Sequence, residues 1–138
     1  MTGAVALIAL AGAASPGSVT LDVAGLRSAK GLVQVCLTAD PKHFPDCKGD
    51  PAARHLSVPA SQATGVRFDD LPAGRYAISL FHDENGDGKV DTRVGIPVEG
   101  VGFSNNPRLW FGPPSFAAAA FAVTDQPVAE TVKMKYFL

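Results

Sequence analysis

Residues 71–82 read LPAGRYAISLFH, and the fold is decided there. Leu71-Pro72-Ala73-Gly74 is turn chemistry, with proline presetting φ at the second position and glycine at the fourth. In 75–82 the side chains alternate, Tyr76, Ile78 and Leu80 on one side and Ala77, Ser79 and Phe81 on the other, which is the period of a strong strand. Just upstream, 64–71 (TGVRFDDL) alternates with Val66 and Phe68 on one face. Further out, 19–26 (VTLDVAGL) sets Val19, Leu21 and Val23 against Thr20 and Asp22. The run 32–38 (LVQVCLT) follows a turn at 28–31, so these two segments are expected to pair as a hairpin. Residues 128–137 (VAETVKMKYF) alternate Val132, Met134 and Tyr136 against Lys133 and Lys135, as a sheet's last strand does. Residues 40–59 hold four prolines and are expected to be irregular, with one short helical turn near 52–55. Residues 83–120 show no sustained period. The pattern predicts an all-β fold, a Greek-key β-sandwich of about seven strands with one long irregular loop.

Composition agrees with one such domain. The chain has 138 residues, 46% of them hydrophobic and 18% charged, which suits a packed core and excludes intrinsic disorder. Twelve Lys and Arg against thirteen Asp and Glu give a net charge of −1, so no polycationic surface for nucleic acid exists. Eleven prolines and fourteen glycines exclude a long-helix protein.

The run 3–14 (GAVALIALAGAA) is uncharged and too short for a bilayer core, which needs roughly twenty apolar residues. Ala11 and Ala13 give the A-x-A cleavage pattern, followed by Ser15, Pro16 and Gly17. Residues 1–14 are therefore expected to be a signal peptide, shortened at its start because no Lys or Arg precedes the apolar run. Residues 15–138 are expected as a single exported domain, periplasmic or extracellular, with no transmembrane segment. The two cysteines, Cys36 and Cys47, are expected to form one disulfide, since no C-x-x-C spacing favours a metal or redox pair.

The run 83–91 (DENGDGKVD) carries chemistry. It fits the front of an EF-hand-type loop, in which alternate residues of a curled chain turn their oxygens onto one Ca²⁺. Asp83, Asn85 and Asp87 fall at positions 1, 3 and 5. Gly88 allows the sharp turn at 6, Lys89 offers its carbonyl at 7, and Asp91 stands at 9. Position 12 is Val94 where a carboxylate belongs, and no helix flanks the loop. Glu99 is the nearest carboxylate that could complete the shell. The expectation is a structural calcium site; the plainer alternative is an Asx- and Gly-rich surface turn after a strand.

Residues 100–121 gather Phe103, Trp110, Phe111, Phe116 and Phe121 beside Asn105, Asn106 and Arg108. Aromatic faces next to fixed polar groups suit a small ligand, with Asn105, Asn106, Arg108 and Trp110 as contacts; the stronger reading is that a long loop packs itself onto the sandwich with such rings. No Ser-His-Asp set, G-x-S-x-G, H-E-x-x-H or phosphate loop is present.

LPAGRYA at 71–77, FHDENGDGKVD at 81–91, GIPVEG at 95–100, FSNN at 103–106 and FGPPSF at 111–116 follow one another in order. The series resembles the bacterial family known as domain of unknown function 2141. That resemblance implies an exported small β-sandwich, transthyretin-like or carboxypeptidase-regulatory-like, with no established activity. Ala117 to Ala120 stand where acidic residues are expected, so no charged role is placed there. Together these readings predict a calcium-stabilised binding or accessory module of the envelope, its partner a small ligand or an envelope protein. The alternatives are a hydrolase or lyase with the 83–111 loop at its active site and His82 or Glu99 as acid or base, and a structural subunit of an envelope assembly.

Overall fold

The computed structural model describes residues 15–93, 96–109 and 112–138. The expected signal peptide, Val94 and Trp110 lie outside the described residues. The described chain forms β1 (Gly17–Ala24), β2 (Leu32–Thr38), β3 (Arg54–Pro59), β4 (Val66–Leu71) and β5 (Gly74–Asp83). There follow β6 (Thr92–Arg93), β7 (Ile96–Pro97), β8 (Val101–Phe103), the one-turn helix α1 (Phe116–Ala119), β9 (Phe121–Val123) and β10 (Val128–Lys133). No helix among the described residues is long and apolar enough to cross a membrane.

The result is an all-β, sandwich-like fold. One sheet runs β10–β1–β4 and the other β3–β2–β5–β8, with β9 pairing the start of β5 and β6–β7 forming a small separate ribbon. The alternating residues meet between the sheets: Val19, Leu21 and Val23 of β1, Val33, Val35 and Leu37 of β2, and Tyr76, Ile78 and Leu80 of β5 are all buried there. Each fully buried Val, Leu or Ile side chain of this kind contributes about 1.5–3 kcal/mol.

Two expectations fail in instructive ways. β1 and β2 are not a hairpin. β1 pairs antiparallel with β4 and parallel with β10, while β2 sits between β3 and β5 in the other sheet. Their apolar faces look at each other across the core, an arrangement that gives the same alternation as two neighbours in one sheet. Residues 54–59 form strand, with no helical turn near 52–55; β3 pairs with β2 from Leu32↔Pro59 to Leu37↔Arg54. As a mostly exposed edge strand carrying Arg54 and His55, β3 lacks the alternation that would announce it.

Beyond β10 the chain ties the sheets together at one edge. Met134 N–H donates to Ala24 C=O at 2.8 Å, and Val101 and Lys135 exchange backbone hydrogen bonds of 2.9 and 2.8 Å. The far face of the β5 sheet is covered at one end by a second apolar cluster of Ala77, Phe103 and Ala119, against which Phe44 and Phe116 pack. Phe44 meets both Phe103 and Phe116 edge-on at 6.0 Å. Residues 39–53, which supply Phe44, are held down by the Cys36–Cys47 disulfide and by a 2.6 Å hydrogen bond from Thr38 Oγ1 to Asp50.

Candidate metal centre

Asp83 ends β5 with its side chain fully buried. The chain then curls back on that carboxylate: Oδ1 accepts the Asp87 N–H at 3.2 Å and Oδ2 accepts the Gly88 N–H at 2.8 Å. Two glycines make the curl, Gly86 at φ 69° and Gly88 at φ 77°, a left-handed region costly for other residues. The Asn85 amide donates to Asp91 at 2.9 Å and to Asp87 at 3.3 Å, while its oxygen accepts the Asp87 N–H. The Asp87 Oδ1 accepts the Lys89 N–H at 2.9 Å. The loop is thus curled by its own Asx-type hydrogen bonds and by the Asp83 carboxylate; of its acids, Asp83 and Asp87 fall in the converging group described below and Asp91 does not.

Strand register supplies the distant carboxylate. β6 and β7 pair through Thr92↔Pro97 and Arg93↔Ile96, and Val98 N–H donates to Asp91 C=O at 2.8 Å, so the chain doubles back beside the loop. β8 then pairs with β5 from Ser79↔Phe103 to Phe81↔Val101, and the His82 N–H donates to Gly100 C=O at 2.8 Å. One step further, Glu99 lands opposite Asp83. Oxygens of Asp83, Asp87 and Glu99 lie within 4.8 Å of one another. One ion at about 2.3–2.6 Å from each ligand spans that separation. Sheet pairing, not loop length, thus brings a third carboxylate beside Asp83 and Asp87.

The electrostatics of Glu99 are unusual. The residue is 4% exposed, and its Oε2 is buried without a hydrogen-bond partner. Burial first, then a hydrogen bond and the negative charge of Asp91, then the charges of Asp83 and Asp87, push its carboxyl up to about 8. Oxygen donors alone, several of them carboxylates, suit a hard divalent cation and not a thiophilic metal.

Three residues that sequence spacing did not single out support the loop. Gln34 of β2 donates from Nε2 to Asp83 at 3.1 Å; a half-buried polar residue in a largely apolar strand was its available signal. Arg27 donates from Nε to Glu84 at 2.7 Å and lies 4.6 Å over the Tyr136 ring. That hydrogen bond and charge hold the Glu84 carboxyl below its usual range. The Tyr136 hydroxyl is 2.9 Å from His82 Nδ1, and His82 Nε2 donates to Lys30 C=O at 2.7 Å. His82 is 0% exposed with both ring nitrogens engaged, so it has no free nitrogen to act as acid or base.

The sequence profile of a family described as an uncharacterised protein conserved in bacteria, DUF2141, matches residues 21–131. The chain belongs to the DUF2141 family. The matched span runs from β1 into β10 and contains the whole acidic loop and Glu99. No curated protein and no solved structure matches the chain.

Elsewhere in this DUF2141 domain, Asn105 and Asn106 serve the fold. Both adopt positive φ, 64° and 48°. Asn105 donates to Ala120 C=O at 2.7 Å, and Asn106 bonds Thr131 C=O at 2.9 Å and Lys133 N–H at 2.8 Å. Their amides thus peg α1 and β10 in place rather than standing ready for a ligand. Arg108 lies exposed between β8 and α1. Wholly buried Ser104 accepts the Ile78 N–H at 2.9 Å and donates to Ala119 C=O, a structural role with no sequence signature.

Proposed function

We propose that this protein is an exported, calcium-stabilised binding or accessory module of the bacterial envelope, in which Asp83, Asn85, Asp87, Lys89 (through its carbonyl), Asp91 and Glu99 hold one Ca²⁺. The observation that carries the reading is the convergence of Asp83, Asp87 and Glu99 oxygens within 4.8 Å, on a Glu99 carboxylate whose Oε2 is buried with no hydrogen-bond partner. A cation would satisfy that oxygen and relieve the repulsion among the acids. The ion's role is to fix the 83–99 segment against the end of β5. Export rests on the apolar run with its A-x-A site, and the disulfide is in keeping with an oxidising compartment.

Thermal melts in EDTA and in 2 mM Ca²⁺ test it. At a hundredfold excess over the dissociation constant, binding adds about 2.7 kcal/mol. For a domain of this size that is a rise of roughly ten degrees. Asp87→Asn should lose most of the rise. An unchanged Tm in Ca²⁺, with no heat on titration to millimolar levels, would remove calcium from the function.

A further inference from the structure

Large apolar side chains are distributed unevenly over the surface. Among the described residues the exposed ones are Leu56, Val90, Ile96, Phe137 and Leu138. Three of the five, Val90, Ile96 and Phe137, converge on one cleft of about 740 Å³ over the far face of the β5 sheet. Phe81 and Phe103, which share one face of the sheet, line it together with Leu109. Leu56 lines a smaller hollow of about 80 Å³ that shares Phe81 with the cleft. Scattered exposed apolar residues need no explanation, but several facing one concave space of ligand size do.

The charge pattern narrows the occupant. Asp46 is the one charged residue among the described lining, and the acidic 83–91 loop runs alongside. A carboxylate or phosphate ligand would meet like charge there. A cation would meet a wall that is almost wholly carbon. We propose that this cleft binds an uncharged apolar small molecule, an aliphatic chain or a fused-ring body, and that Ca²⁺ tightens that binding. The coupling rests on the calcium reading above, whereas the cleft itself does not. Its physical basis is continuity. Val90 lies between Asp87 and Asp91, and Ile96 and Pro97 form β7 between Asp91 and Glu99. An ion that clamps both ends of this segment fixes one wall of the cleft, and the same coupling makes the ligand tighten Ca²⁺.

The test uses residues 15–138 with Nile red, a neutral apolar dye, titrated in 2 mM Ca²⁺ and in EDTA. Saturable binding at one dye per chain is expected, at least tenfold tighter with Ca²⁺ and at least tenfold weaker in Ile96→Glu and Phe137→Glu. Both substituted side chains are about half exposed and lie outside both apolar clusters. A neutral monoacylglycerol should displace the dye and octanoate should not. Heats of Ca²⁺ addition, measured separately, keep the two readings apart. Calcium heat without saturable dye binding overturns the cleft and leaves the metal site standing. Equal dye affinity in Ca²⁺ and EDTA overturns the coupling. Affinity unchanged by both substitutions places the dye elsewhere and overturns the proposal, as does co-sedimentation with phosphatidylcholine vesicles in place of one-to-one binding.

Discussion

A carboxylate buried with one oxygen unpartnered destabilises a fold unless it is protonated or bound to a cation. Glu99 is held in that state by its register opposite Asp83, with Asp87 and Asp91 close by. The consequence for pH has a definite sign. Its carboxyl is raised from the usual 4.5 to about 8 in the folded chain, so between those values the native state binds the extra proton. Without metal, this contribution is complete below about pH 4.5 and is lost as pH rises through 8, a decline on the order of a few kcal/mol. Denaturant melts in EDTA at pH 5, 6.5 and 8 should show that fall in the wild type and a much flatter line in Glu99→Gln. The same substitution should raise the metal-free Tm at pH 8 while abolishing the Ca²⁺ response. A parallel fall in both proteins would mean that another group carries the pH dependence.

At the level of elements, Gly31 shows how the β1–β2 connection and the acidic loop are built together. It stands at φ 68°, and an added Cβ would overlap the Asp83 and Glu84 carbonyl oxygens. Gly65 has nearly the same φ, 65°, but open space around it. Gly65→Ala should therefore cost only the backbone term, about 1 kcal/mol, and leave Ca²⁺ affinity unchanged. Gly31→Ala should cost clearly more and weaken Ca²⁺, because the start of the loop must move; equal losses would show that the close approach does not matter. This contact also marks what the sequence could and could not reveal. The strands at 32–38 and 75–82 were legible because side-chain alternation is a local property, and the curled 83–91 loop because its Asx and glycine spacing is local too. Pairing partners are not local. The parallel β1–β10 contact, the edge strand β3 and the placing of Asn105 and Asn106 as pegs depend on segments far apart in the chain. Glu99 was reachable only as the nearest spare carboxylate; its position opposite Asp83 comes from the β5–β8 register.

Across the whole molecule the two apolar clusters divide the work. The larger one between the sheets holds the sandwich, while the smaller one on the far face packs Phe44, Leu109 and Phe116 against it. The Cys36–Cys47 bridge, closing an 11-residue separation, belongs to the second layer. Replacing both cysteines by alanine should cost about 2–3 kcal/mol by freeing the unfolded chain. Loss of native order should be confined to that layer, since the central residues of β1, β2 and β5 are packed without it. Amide exchange should quicken in 39–53 and stay slow in 19–23 and 76–80. Ca²⁺ binding should survive, because every proposed ligand lies on the 83–99 segment. The apolar cleft should suffer, because Pro45 and Asp46 line one side of it. The variant thus separates the two proposed sites within one molecule: normal calcium heat with weakened Nile red binding is expected. Calcium heat lost together with the dye would mean that the bridge supports both walls, and that the far-face layer and the acidic loop form one cooperative unit.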